Sequence, residues 1–170
     1  MVLLAALVAL GVWLWLLLFP SPEKVIRKRL TELAVTVSYS PSQGNLARIA
    51  AAQSLAGYFG TNIEVNIDVP GRLRHTLMGR EDIAQTAMSA RAVVSSLSVK
   101  FPDINVTVAP DKQSAVADLT LDATIASEVD HLVQELKFTF QKIDGEWLIT
   151  RVETIRTLSR CRPGVVQSAG

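Results

Sequence analysis

The chain has 170 residues, of which 49% are apolar and only 19% charged, with a mean hydropathy of +0.28. A soluble domain of this size carries about a quarter charged residues. The deficit has one source: residues 1–19 contain no charged side chain, so all 17 basic and 16 acidic residues lie beyond them. One hydrophobic segment followed by one domain of average size excludes wholesale disorder, a collagen-like chain and a multi-pass membrane protein.

Val2 to Phe19 reads VLLAALVALGVWLWLLLF. A helix of that length spans about 27 Å, enough for the hydrocarbon core of a bilayer. Trp13, Trp15 and Phe19 lie toward its C-terminal end, where interfacial aromatics belong, and Pro20 and Pro22 stop it. A cleaved signal peptide would want a basic start and a small-x-small cleavage site. The sequence has no Lys or Arg before Lys24, and WLWLLLFPSP offers no such site. The segment is also longer than an ordinary core helix. Residues 1–20 are therefore expected to be a retained single-pass transmembrane anchor.

Lys24, Arg27, Lys28 and Arg29 follow, against Glu23 alone. With Trp13 and Trp15 they form an expected membrane-interface set, since a base beside an anionic lipid bilayer contributes about 1 kcal/mol. A solvated helix face explains the same bases equally well. Arg156, Arg160 and Arg162 make the C-terminal end basic too, which leaves the body from Leu30 to Ile155 net acidic. An acidic body argues against a nucleic-acid partner, which needs a clustered positive patch. The lone Cys161 can form neither an intrachain disulfide nor a zinc site by itself.

Ser21-Pro22-Glu23 is a helix start, with Ser as cap, Pro at the first position and an acid in the first turn. Ile26, Leu30, Leu33 and Val37 then share one helical face. After the Ser40–Gly44 loop, Asn45 can cap a second helix with Leu46, Ile49, Ala52 and Ala56 inward. The period then changes to two. Ile63, Val65 and Ile67 alternate with Glu64, Asn66 and Asp68, giving a half-buried strand, and Leu73 to Met78 is its return after Pro70-Gly71. Gly79 opens a third helix, with Ile83, Ala87, Ala90, Val94 and Leu97 on one stripe. Four strands complete the domain. The first runs from Val99 to Ala109, with Pro102 at an edge or an irregular start. The second is Ala115 to Ile125, with Ala117, Leu119, Leu121, Ala123 and Ile125 inward. In the third, Leu132, Leu136, Phe138 and Phe140 alternate with His131, Glu135, Lys137 and Thr139. The Asp144-Gly145 hairpin turn leads to the fourth, Glu146 to Leu158. The fold class is α+β, an antiparallel sheet with helices on one face, over residues 21–158. A flexible basic tail, 159–170, is expected after it.

This element order resembles the nuclear transport factor 2-like superfamily over about residues 22–158. The local marks are Gly79-Arg80-Glu81 at the start of the third helix and the Asp144-Gly145-Glu146-Trp147 hairpin. The resemblance implies a cone-shaped fold: a curved sheet around a pocket, as in ketosteroid isomerase, scytalone dehydratase and SnoaL-like cyclases. It also implies frequent homodimers through the outer face of the sheet. It does not imply one activity.

Catalysis in such a cone needs a carboxylate or histidine in an apolar cavity, with a second group to hold an oxyanion. By parity Asp118, Asp122, His131, Glu135 and Lys137 point away from the cavity. His75, Asp68, Tyr39 and Tyr58 are the weak candidates, and a turn-region histidine, a strand-end acid and two packing tyrosines account for them more simply. No metal-ligand spacing, Gly-rich phosphate loop or nucleophile turn occurs, and no cofactor is implied.

The leading expectation is a non-catalytic, membrane-anchored accessory or assembly subunit of a membrane protein complex. The alternative is a tethered small-ligand binder or an isomerase- or cyclase-type enzyme acting on an apolar substrate. The two are told apart by whether side chains fill the cone. The Lys/Arg count after the anchor places the domain in the cytoplasm. The resemblance to bacterial superfamily members carried outside the inner membrane, behind a signal-like anchor, places it on the periplasmic side. Pairing of Glu23 with Arg27 and of Lys28 with Glu32 at four-residue spacing weakens the charge count. The extracytoplasmic side is expected narrowly, with the cytoplasm the close alternative.

Overall fold

The computed structural model describes residues 21–42, 44–68, 75–125 and 131–161. The anchor segment 1–20 lies outside the described residues, as do Trp13 and Trp15. Among the described residues no helix is long and apolar enough to cross a membrane.

The elements follow in the order α1 (Pro22–Val37), α2 (Asn45–Ala56), β1 (Phe59–Ile67), β2 (His75–Met78), α3 (Arg80–Val93), β3 (Leu97–Lys100), β4 (Ile104–Val108), β5 (Ser114–Ile125), β6 (His131–Ile143) and β7 (Glu146–Cys161). Pro22 starts α1 at a position where its missing N–H costs nothing, and Ile26, Leu30, Leu33 and Ala34 are buried on one face. Gly79 caps α3 with φ +89°, a left-handed backbone value that glycine adopts without strain. Asp144 and Gly145 both have positive φ, as a two-residue hairpin turn between twisted strands requires.

All seven strands form one sheet, in the order β2-β1-β7-β6-β5-β3, with β4 also on β5. The expected antiparallel sheet is corrected to a mixed one: β1 runs parallel to β7. Side-chain alternation reports which face a residue takes, not the direction of its neighbour. The expected single strand from Val99 to Ala109 is two. β3 pairs with Ala123 and its neighbours and β4 with Ala117 and its neighbours, along the same edge of β5. Pro102 lies in the break, where it has no N–H to give the ladder.

The core joins one face of the sheet to the helices through Ile26, Leu30, Leu55, Ile63, Phe140 and Ile149, among others. β5 and β6 keep the expected register, with Ala117 opposite Phe138 and Ala115 opposite Phe140, all buried. The second helix departs from expectation. Ala52 and Leu55 are buried, while Leu46 is 85% exposed and Ile49 is also exposed. On the third, Ile83 is buried but Ala90 is exposed, and Leu97 belongs to β3 rather than to the helix. Register shifts between β6 and β7 fall at Val133/Gln134, Glu135/Leu136 and Thr139/Phe140. Each puts an extra residue into β7, which bends the strand and turns Ile155 and Leu158 outward, where both are exposed.

Candidate functional site

The helices do not fill the space over the face of the sheet that they cover. A pocket of about 390 Å³ remains between α1, α2 and α3 and strands β1, β2, β3, β5, β6 and β7. Leu33, Phe59, Val65, Leu121, Leu136 and Phe138 typify its wall. Phe101 meets Phe138 edge-on, with ring centroids 6.2 Å apart. Apolar walls with a few placed polar groups are what small-ligand pockets of about 300–1,000 Å³ share. The polar side chains among the described lining residues are Tyr39, Thr86, Arg91 and Gln134.

Arg91 is 5% exposed. It follows Ile83 and Ala87 at four-residue spacing, so the helix carries it to the same face. Its Nη2 donates to the Thr36 carbonyl at 2.7 Å, within the last turn of α1, and its guanidinium stands 5.1 Å from the centre of the Tyr39 ring. Tyr39 is buried, exchanges two backbone hydrogen bonds with Leu97, and donates its hydroxyl to the Ala90 carbonyl at 3.4 Å. Together they tie the ends of α1 and α3 to the start of β3. Gln134 is completely buried, and its Nε2 donates to the Asp68 carbonyl at 2.6 Å and to Thr157 Oγ1 at 3.1 Å.

The weak catalytic candidates do not converge. Tyr39 lines the pocket. Asp68 lies at a separate polar groove with Asn66, Thr76, Lys137 and Glu153. Tyr58 faces a third groove beside Lys24, Lys28 and Arg29, and its hydroxyl lies 3.4 Å from Thr36 Oγ1. The backbone of His75 pairs with Ile67, and its side chain is outside the described residues. No carboxylate or imidazole lines the pocket among the described residues, and no group there could hold a metal ion.

Three basic residues of α1, Arg27, Lys28 and Arg29, take partners within the domain. Lys28 pairs with Glu32 at 3.7 Å, and Arg29 with Glu146 at 3.3 Å, lying also over the Tyr58 ring. Arg27 donates to the Ile104 carbonyl, not to Glu23. The outer face of the sheet carries a charge cluster, with Arg151 bridging Glu64 at 3.3 Å and Glu153 at 3.1 Å.

Arg91 and Gln134 escaped the sequence reading, although each left a signal. Arg91 sits one turn beyond Ala87 on the buried stripe, and Gln134 sits at the inward parity between Leu132 and Leu136. A polar residue on an apolar period marks a buried polar group that must find partners.

No known family profile matches the chain, and no curated protein matches its sequence. Solved structures do resemble it. A protein of Novosphingobium aromaticivorans, provisionally described as a scytalone dehydratase, superposes with a TM-score of 0.61 at 17% identity, over 82% of this chain and 85% of that one. A cystatin-like protein of Caulobacter vibrioides gives 0.59 at 14% identity, over 83% and 90%. A nuclear transport factor 2-like protein of unknown function from Pseudomonas putida gives 0.57 at 10% identity, over 76% and 82%. The α+β fold is thus the cystatin-like, nuclear transport factor 2-like one. At these identities the likeness is one of fold.

Proposed function

We propose that the domain is a receptor for a small apolar ligand, held at a membrane by residues 2–19, and that it binds its ligand without transforming it. The observation that carries this reading is the unfilled, apolar pocket of about 390 Å³. A scaffold that only assembles partners has no need of such a space. The dispersal of Asp68 and Tyr58 to other grooves favours binding over acid–base catalysis. The charge-free run from Val2 to Phe19 supports the tether.

The test is a titration of the full chain in mild detergent with small apolar compounds, read by thermal denaturation. A ligand at about a hundred times its Kd stabilises by about 2.7 kcal/mol. Ala87 is half-buried on the pocket wall, and Ala87→Phe projects a ring into the space. A folded Ala87→Phe chain should lose the ligand-induced shift. An undiminished shift in that variant would reject the pocket as the site.

A second reading, the accessory subunit of a membrane complex, draws support from a different observation. Leu46 and Val93 are each 85% exposed and Val35 is 71% exposed, all on the helices. Purification in mild detergent should then retain a companion subunit that Leu46→Lys with Val93→Lys releases. Retention by the double variant would count against docking through these residues.

A further inference from the structure

Gln134 lines the pocket and is 0% exposed. The orientation of its amide is fixed. The Asp68 carbonyl, 2.6 Å from Nε2, can only accept a hydrogen bond, so the atom facing it must be the nitrogen. Thr157 Oγ1 at 3.1 Å takes the second N–H. The other amide atom, Oε1, is buried and has no hydrogen-bond partner. A buried acceptor without a partner is costly and therefore rare in folded proteins. The neighbouring wall residues Leu121, Leu132 and Leu136 are apolar and offer it no donor. Tyr39 and Arg91, the larger polar side chains of the wall, direct hydrogen bonds at the carbonyls of Ala90 and Thr36. The two bonds of Nε2 account for the nitrogen of this amide and leave its oxygen without a role inside the fold.

Resting on the ligand-receptor reading, we propose that the ligand is an apolar molecule with a hydrogen-bond donor, a hydroxyl or an amide N–H, which it gives to Gln134 Oε1. The apolar wall recognises the body of the molecule, and one acceptor recognises its head. A molecule of the same shape that can only accept hydrogen bonds leaves Oε1 unpaired and binds more weakly.

The test uses the full chain in a fixed detergent and three probes: decanol, its methyl ether and decane. Binding is measured by calorimetry and corrected for the partition of each probe into micelles. The wild-type chain should bind decanol about tenfold more tightly than the ether, the ratio expected for a buried acceptor that gains or lacks its donor. In Gln134→Leu that ratio should fall to near one, with the ether bound at least as well as before. Partition errors cancel when the two chains are compared. Equal binding of decanol and ether by the wild-type chain would overturn the donor inference and leave the apolar receptor standing. So would a preference that survives in Gln134→Leu. Binding of none of the three probes would instead reject the receptor reading, and the inference with it. If Gln134→Leu does not fold, Gln134→Met serves in its place, and the wild-type ratio decides by itself.

Discussion

Arg91 joins three elements by one side chain. A guanidinium that leaves water must have its donors used, and here the Thr36 carbonyl and the Tyr39 ring receive it. Arg91→Met keeps most of the apolar stem and removes the donor, so it should cost about 1–3 kcal/mol in denaturant unfolding. Arg91→Lys should recover only part of that, because an ammonium cannot both lie flat over the ring and reach the carbonyl. Phe138, 5% exposed among apolar neighbours, tests the packing itself. Phe138→Ala should cost about 3–5 kcal/mol by the same measurement. The sequence made Phe138 legible and Arg91 illegible for one reason. Alternation of residue type identifies a buried position only when the residue is apolar. Arg91 and Gln134 obey the period and break the type, so the apolar stripe of α3 reads through Ala90 and Val94 instead.

At the scale of elements, legibility follows regularity. β5 and β6 pair without a register shift from Ser114 to Thr124, and there the inward and outward faces are as the alternation has them. β7 has three shifts against β6, and each reverses parity. Trp147 and Ile149 are buried, and after the shift at Thr139/Phe140 the next buried residue is Val152. No period of two predicts that. α2 fails differently. Rich in alanine and short, it presents Ala52 and Leu55 as its buried core face among the described residues, and its larger apolar residues in the first turns are exposed. Leu46→Gln should therefore change stability by no more than about 0.5 kcal/mol, whereas Leu55→Ala should cost about 2–5 kcal/mol. A large loss from Leu46→Gln would return the first turn of α2 to the core. The parallel pairing of β1 with β7 was invisible in the sequence because it joins strands at opposite ends of the domain. No turn signal connects such strands.

At the scale of the whole molecule, the proposed tether sets the pocket on one side of a membrane, and the charges that follow residues 2–19 bear on which side. Four bases follow the apolar segment, and for a segment that spans a membrane such bases favour a domain on the cytoplasmic side. The count weighs free charges near the end of the span. Lys28 and Glu32 lie one turn apart on α1, so their pair can form as soon as the helix does. The pair of Arg29 with Glu146 joins residues 117 apart and can form only when the domain folds. One base in four is thus offset during insertion, and the rest of the count stands. Against it is the expectation, drawn from the resemblance of the sequence, of a domain carried to the far side of a membrane behind a signal-like anchor. We therefore propose an extracytoplasmic domain, and Cys161, the sole thiol, reports on it. Intact cells treated with a membrane-impermeant maleimide should label Cys161 without lysis. Labelling only after lysis, with Cys161 reactive in detergent, would place the domain in the cytoplasm and vindicate the charge count. If Cys161 does not react in detergent, the exposed Gln53, replaced by cysteine in a Cys161→Ser chain, gives the same reading from α2.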